Sequence, residues 1–232
     1  MELSAAAVLE LWEEANALRP VDRALALASL EGEDADAVAR LPIGRRSARL
    51  LRVHAALTGS VLEAIAPCPH CGENSEFALD VDELLARGDE AAAPEPVEVA
   101  GRVIAWRPPD SRDVRAAAET EDVAAAERVL LERCIDGEAT DEVRRAVTAA
   151  MAKADPLAEV LLDVSCPSCG EAFAADVDVA RFVWAEVRTR ALGLLRHVDA
   201  LARAYGWTEE QVLALGAARR ATYLELAAEA GA

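Results

Sequence analysis

Cys68-Pro69-His70-Cys71-Gly72 and Cys166-Pro167-Ser168-Cys169-Gly170 are two copies of one pattern, a Cys-x-x-Cys with glycine directly after the second cysteine. Their surroundings repeat as well: Glu73 and Phe77-Ala78-Leu79-Asp80-Val81-Asp82 follow the first, Glu171 and Phe173-Ala174-Ala175-Asp176-Val177-Asp178 the second. Two residues between cysteines let both sulfurs of a pair face one point, and the trailing glycine tolerates the positive φ that closes so tight a turn. Four thiolates in two such pairs suit a tetrahedral structural zinc, so Cys68, Cys71, Cys166 and Cys169 are the expected metal ligands. A redox dithiol and disulfides stay open as weaker readings; the first calls for a single motif beside a βαβ unit rather than two matched hairpins. His70, inside the first pair, is an alternative ligand.

Working outward, Val61 to Ala66 reads as a strand entering the first knuckle and Glu76 to Val81 as its return. Glu159 to Val164 and Glu171 to Val177 do the same at the second. The expected fold class is therefore α+β and mostly α-helical, built on a split zinc ribbon in which two hairpins share one ion. Residues 1–59 form a helical N-terminal region, 60–90 the first knuckle hairpin, 91–157 an acidic insert, 158–178 the second hairpin, and 179–232 the C-terminal helices.

Caps and periodicity mark the helices. Ser4 caps a helix with Val8, Leu9, Leu11, Trp12 and Leu18, and Pro20 interrupts it. Asp22 caps a second helix carrying Leu25, Leu27 and Leu30, ending at Gly32. A short piece runs from Asp34 to Leu41. Gly44 opens a stronger helix with an apolar stripe (Leu50, Leu51, His54, Leu57) that ends at Thr58-Gly59, and His54 there reads as a structural histidine. In the insert, Ala91-Ala92-Ala93-Pro94-Glu95-Pro96 is a linker and Val97 to Trp106 a hairpin turning near Gly101. Helical segments follow to Glu119, from Asp122 to Ile135 and from Asp141 to Ala154. Cys134 reads as a small buried hydrophobe. Val183, Val187, Ala191, Leu194, Val198, Leu201 and Tyr205 form a coiled-coil-like seam, fit to lie across a partner or another helix. Gly206 stops it, Thr208 and Gln211 make a capping box for the next helix, and Trp207 is the expected exposed aromatic anchor.

The chain has 232 residues and a formal net charge of −18. From Asp80 to Asp178 there are 24 acidic and 10 basic side chains, a field that repels nucleic-acid phosphates. Against it stands an island of Arg40, Arg45, Arg46, Arg49 and Arg52, with no acid between Asp36 and Glu63. This island is either a solvated, internally paired face or a partner-binding patch. No basic leader segment and no apolar run of about 18 residues is visible, so the chain is expected to be soluble and cytoplasmic, with no membrane partner. Phosphate loops, nucleophile elbows and metal-hydrolase spacings are missing, and a zinc with four thiolates has no open position for water. No enzyme and no small-molecule substrate are expected.

Several stretches together resemble one family. They are Leu41-Pro42-Ile43-Gly44-Arg45-Arg46 with Arg49-Leu50-Leu51, both knuckles, Phe182-Val183-Trp184-Ala185-Glu186, Ala202 to Glu209, Arg219-Arg220 and Tyr223-Leu224. Spread over most of the chain, they look like zinc-ribbon proteins related to the T4-type phage baseplate hub assembly chaperone, known from contractile tails and tail-like injection systems. The resemblance implies a non-enzymatic assembly chaperone or minor baseplate component, which either leaves or is incorporated in the tail-like particle. Its partner would be a hub, spike or baseplate protein, and Arg45, Arg46, Arg49, Arg52, Tyr205 and Trp207 are the expected contact residues. A nucleic-acid-binding zinc-ribbon accessory factor is the alternative.

Overall fold

A computed structural model describes residues 3–29, 34–89 and 93–230. Leu30 and Gly32, expected on and beyond the second helix, and Ala91-Ala92 of the linker lie outside the described residues.

The main core is made by the first helices and the last long one. α1 (Ala5–Asn16) is capped by Ser4, whose side chain accepts from the Ala7 amide. α2 (Pro20–Ala28) starts at Pro20 rather than being capped by Asp22: proline needs no acceptor for its first position, and Arg19 is an N-cap without a side-chain bond. α3 (Ala35–Ala39) is capped by Asp34. α4 (Ile43–Thr58) follows and ends at Gly59, where φ is +101°. α9 (Val179–Tyr205) packs on α1, α2 and α4, so the apolar seam starting at Val183 is covered largely by the chain's own N-terminal helices. Leu27, Leu50, Leu51, Val183, Val187 and Ala191 are fully enclosed there. Helices α1 to α4 and the start of α9 thus share one core, which short-range periodicity does not reveal.

Each knuckle sits at the tip of a two-stranded antiparallel hairpin. β1 (Val61–Pro67) pairs with β2 (Asn74–Asp80), starting at Val61 opposite Asp80. β5 (Leu161–Ser165) pairs with β6 (Ala172–Asp176), starting at Leu161 opposite Asp176. Both lead into helices. Asp80 accepts from the amides of Asp82 and Glu83 and starts α5 (Val81–Asp89), as Asp178 accepts from Arg181 and starts α9. The internal repeat is therefore hairpin plus helix. α5, which a reading of 60–90 as hairpin alone omits, buries Val81 and Leu84 against the main core.

The insert has a small core of its own. β3 (Val97–Val99) and β4 (Arg102–Ile104) form the expected hairpin, with Gly101 at φ +76° in its turn. Val99 and Ile104 pack with Leu131, Ile135, Val143 and Val147 from around α7 (Val123–Cys134) and α8 (Asp141–Ala154). α6 (Ser111–Ala117) starts from an Asp110–Asp113 capping box. Asp113, fully enclosed, is gripped by both outer nitrogens of Arg107 (2.6 and 2.9 Å), by Arg133 Nε (2.9 Å) and by the Asp110 amide (3.0 Å). Burial alone would raise this carboxyl; the Arg107 bonds, the Asp110 amide and Arg133 outweigh it and hold it well below the usual range. Cys134 lies against Asp113, and burial pushes its thiol up to about 12.

Insert and main core meet at the N-terminus of α4. The Ile43 amide donates to Pro109 O (3.1 Å), and the Gly44 amide to the buried Asp155 carboxylate (2.9 Å). Arg46 Nη1 donates to Ser111 Oγ at 3.0 Å. A Cβ on Gly44 would lie 2.0 Å from Asp155 Oδ1, which explains a glycine in the first turn of a helix. α10 (Glu209–Leu213) and α11 (Ala217–Ala230) fold back on α9, the first from the expected Thr208–Gln211 capping box.

Two consequences are measurable. Gly44→Ala is expected to cost about 2–3 kcal/mol in urea unfolding, and Asp155→Ala, which removes only the cap, about 1 kcal/mol. For Asp113 the unfolded value is about 3.9 and the folded value lower, so its contribution is present above about pH 4 and lost as pH falls below it. Asp113→Asn should cost about 2 kcal/mol at pH 7, and its gap to the wild type should narrow on acidification below pH ~4.

Candidate metal centre

The two hairpins come together through β2 and β5, and this brings the knuckles tip to tip. All four sulfurs of Cys68, Cys71, Cys166 and Cys169 lie within 4.8 Å of one another. Two close contacts run between the knuckles, Cys68 Sγ to Cys169 Sγ at 3.7 Å and Cys71 Sγ to Cys166 Sγ at 3.6 Å. A tetrahedron with metal–sulfur bonds of about 2.3 Å has edges of about 3.8 Å. These separations fit that figure and are far longer than a disulfide bond of about 2.05 Å. All four are free cysteines.

The local backbone is built for this convergence. The Cys68 amide donates to Glu73 O (2.8 Å) and the Gly72 amide to Cys68 O (2.9 Å). At the second knuckle the Cys166 amide donates to Glu171 O and the Gly170 amide to Cys166 O, both at 2.9 Å. Gly72 and Gly170 have φ of +78° and +77°, so both copies need the same left-handed turn and both use glycine. Cys68 and Cys166 are buried, Cys71 and Cys169 exposed, so the cluster has one face to the protein and one to solvent.

Amides also point at the sulfurs. Those of Cys169 and Ser168 hold the Cys166 thiol down to about 6, aided by Cys169 and Cys71. At Cys71 the Glu73 amide favours the thiolate, but desolvation and the neighbouring sulfurs win and push it up to about 12. Cys169 is raised on balance in the same way, against the Glu171 amide. One thiolate in the cluster therefore makes the next more costly. A divalent cation offsets that repulsion and releases the remaining protons, so the donor set fits a metal ion.

His70 is exposed and does not join the four-sulfur cluster. Buried His54 serves the fold: Nδ1 lies against Glu186 of α9 and Thr58, and Nε2 against Val61 O, tying α4 to α9 and β1.

The residues expected to contact a partner divide. Arg45 and Arg52 are exposed, Arg45 pairing with Asp89 at 3.5 Å, and Arg49 is half-buried. Arg46 is only 8% exposed and bonded to Ser111, so it belongs to the interior joint and not to a surface patch. The reason is helical: adjacent residues on α4 point about 100° apart, so Arg46 is turned away from the face that Arg45, Arg49 and Arg52 share at spacings of four and three. Trp207 is half-buried rather than the exposed anchor. Its ring stacks on Tyr205 (centroids 4.8 Å apart) and meets Tyr223 of α11 edge-on at 4.8 Å, leaving Tyr205 the more open member of the cluster. That contact depends on the fold-back of α11, which no local pattern announces.

Among the described residues no helix is long and apolar enough to cross a membrane. No protein-family model, curated protein or solved structure matches the chain.

Cys68→Ser, Cys71→Ser, Cys166→Ser and Cys169→Ser are each expected to abolish stoichiometric metal binding by the purified, reduced chain, whereas Cys134→Ser leaves metal content unchanged. A strong chelator should lower the thermal midpoint of the wild type and not that of the four variants.

Proposed function

We propose that the chain is a non-enzymatic assembly factor of a contractile, phage-tail-like particle. It binds a hub, spike or baseplate protein and is held in shape by zinc on Cys68, Cys71, Cys166 and Cys169. Zinc is the ion that four thiolates in a tetrahedral arrangement suit best. Such a sphere is closed, so the ion's contribution is to folding: structural zinc in small peptides is worth about 10–16 kcal/mol at neutral pH.

The observation that carries the reading is the convergence of the four sulfurs from hairpins far apart in sequence, which makes the site a staple for the whole body. The partner class comes from the sequence resemblance alone. Leu41 to Arg46 forms the joint at the start of α4, and Phe182 to Glu186 lies on α9, which packs against α4. Tyr205, Trp207 and Tyr223 gather into one aromatic cluster beyond. Exposed Arg45, Arg52 and Tyr205 are the side chains of the expected set most open to a partner. The net charge of −18 weighs against a nucleic-acid target.

Affinity capture from cells that also express a tail-like gene cluster tests this. A hub, spike or baseplate protein should be recovered at near-stoichiometric yield, and the double variant Arg45→Glu, Arg52→Glu should reduce recovery about tenfold without changing the circular dichroism spectrum. Recovery of no tail protein, together with salt-sensitive retention of DNA or RNA, would replace this reading with the nucleic-acid one.

A further inference from the structure

A cleft of about 380 Å³ opens where α9, α10 and α11 meet the start of the chain, away from the sulfur cluster. Its walls carry two arginines, Arg190 of α9 and Arg220 of α11. Arg220 is 8% exposed, and its Nη1 donates to Leu215 O at 3.0 Å. Exposed Arg190 donates from Nη1 to Leu57 O at 2.6 Å. Among the described residues neither guanidinium has an acidic partner. Each has five N–H donors, so most of their hydrogen-bonding capacity remains.

A mostly buried guanidinium is costly without a counter-charge, and a second cation beside it raises that cost. Burial and the Arg190 charge both depress Arg220, and burial, then Arg220, depress neighbouring His197, whose buried Nδ1 has no hydrogen-bond partner among the described residues. Gly216 and Ala217, which open the 14-residue helix α11, line the same cleft and add the positive end of a helix dipole. In a chain of charge −18, this is a local concentration of positive potential with nothing negative in it.

We propose that this cleft binds a carboxylate carried on an apolar stem, presented by the partner protein as an acidic side chain or chain terminus. Guanidinium forks match a carboxylate in two-point geometry. Leu194, Leu213 and Leu215 supply apolar wall beside them, and the volume accommodates a side chain rather than a polymer. The strongly acidic chain disfavours a polyphosphate. The described C-terminal end of the chain does not occupy the cleft, because α11 begins there and its 14 residues span about 20 Å. That the carboxylate belongs to a partner rests on the assembly reading; the existence of the site does not.

Titration of the full-length, metal-loaded chain with sodium hexanoate, at constant ionic strength in sodium chloride, tests the site by NMR of the arginine Nε–Hε groups and the Ala217 amide. The expected result is a saturable shift of Arg190, Arg220 and Ala217 with a dissociation constant on the order of 1 mM, tighter than inorganic phosphate in a parallel titration. Arg190→Gln should weaken hexanoate about tenfold, whereas Arg203→Gln, an exposed arginine paired with Asp199, should leave it unchanged. Exposed Arg190 is the informative variant, since replacing buried Arg220 risks the fold. No saturable shift, equal binding by Arg190→Gln, or tighter binding of phosphate than of hexanoate would each overturn the proposal. The titration needs no partner, so its failure removes the carboxylate site and leaves the capture experiment as the separate test of the assembly reading.

Discussion

Four sulfurs meeting at one point impose the main constraint on this chain. They close a loop on the order of 100 residues, residues 72–165, and a covalent cross-link of that span removes about 4–5 kcal/mol of unfolded-state freedom in the chain-entropy account. A metal bridging the same points acts in the same direction, with its own binding energy added. A domain's whole stability is about 5–15 kcal/mol, so a junction of this size decides whether the two hairpins stay together. Their apolar contribution is modest: the outer hairpin faces leave Val61, Ile65 and Leu161 open to solvent. With an ion bound, the sulfur cluster would fix the hairpin tips as the α4–α9 core fixes their bases.

What could be read from the chain alone was what is encoded locally. Cysteine spacing, the glycines at positive φ in the knuckles, and the helix starts at Ser4, Asp34, Asp122 and Thr208 each act within a few residues, and each lies where its pattern predicts. The failures have the opposite character. Arg46 belongs to a charged run, yet Ser111, far along the chain, receives it inside. Trp207 stands beside polar residues, yet Tyr223 covers it. Pro20 overrode Asp22 as a helix start, and α5 was hidden because Asp80, whose side chain starts it, also ends β2. Its Val81, Leu84 and Leu85 have helical spacing, which was the available signal.

Gly44 shows how a local and a distant requirement combine. Glycine near a helix start looks like a simple opening signal, but the space for a Cβ is taken by Asp155, whose carboxylate caps the same turn. Burial pushes this carboxyl up, partly opposed by the Gly44 amide and then by Arg45. The joint places the insert, α4 and the approach to the second knuckle in fixed relation.

The convergence of the four sulfurs calls for one metal ion between both knuckles of a single chain. X-ray absorption at the zinc edge of the monomeric, reduced protein addresses it directly. The expected result is one zinc per chain with four sulfur neighbours at about 2.3 Å and no nitrogen shell. A mixed sulfur and nitrogen environment, or zinc bound only between two chains, would contradict it.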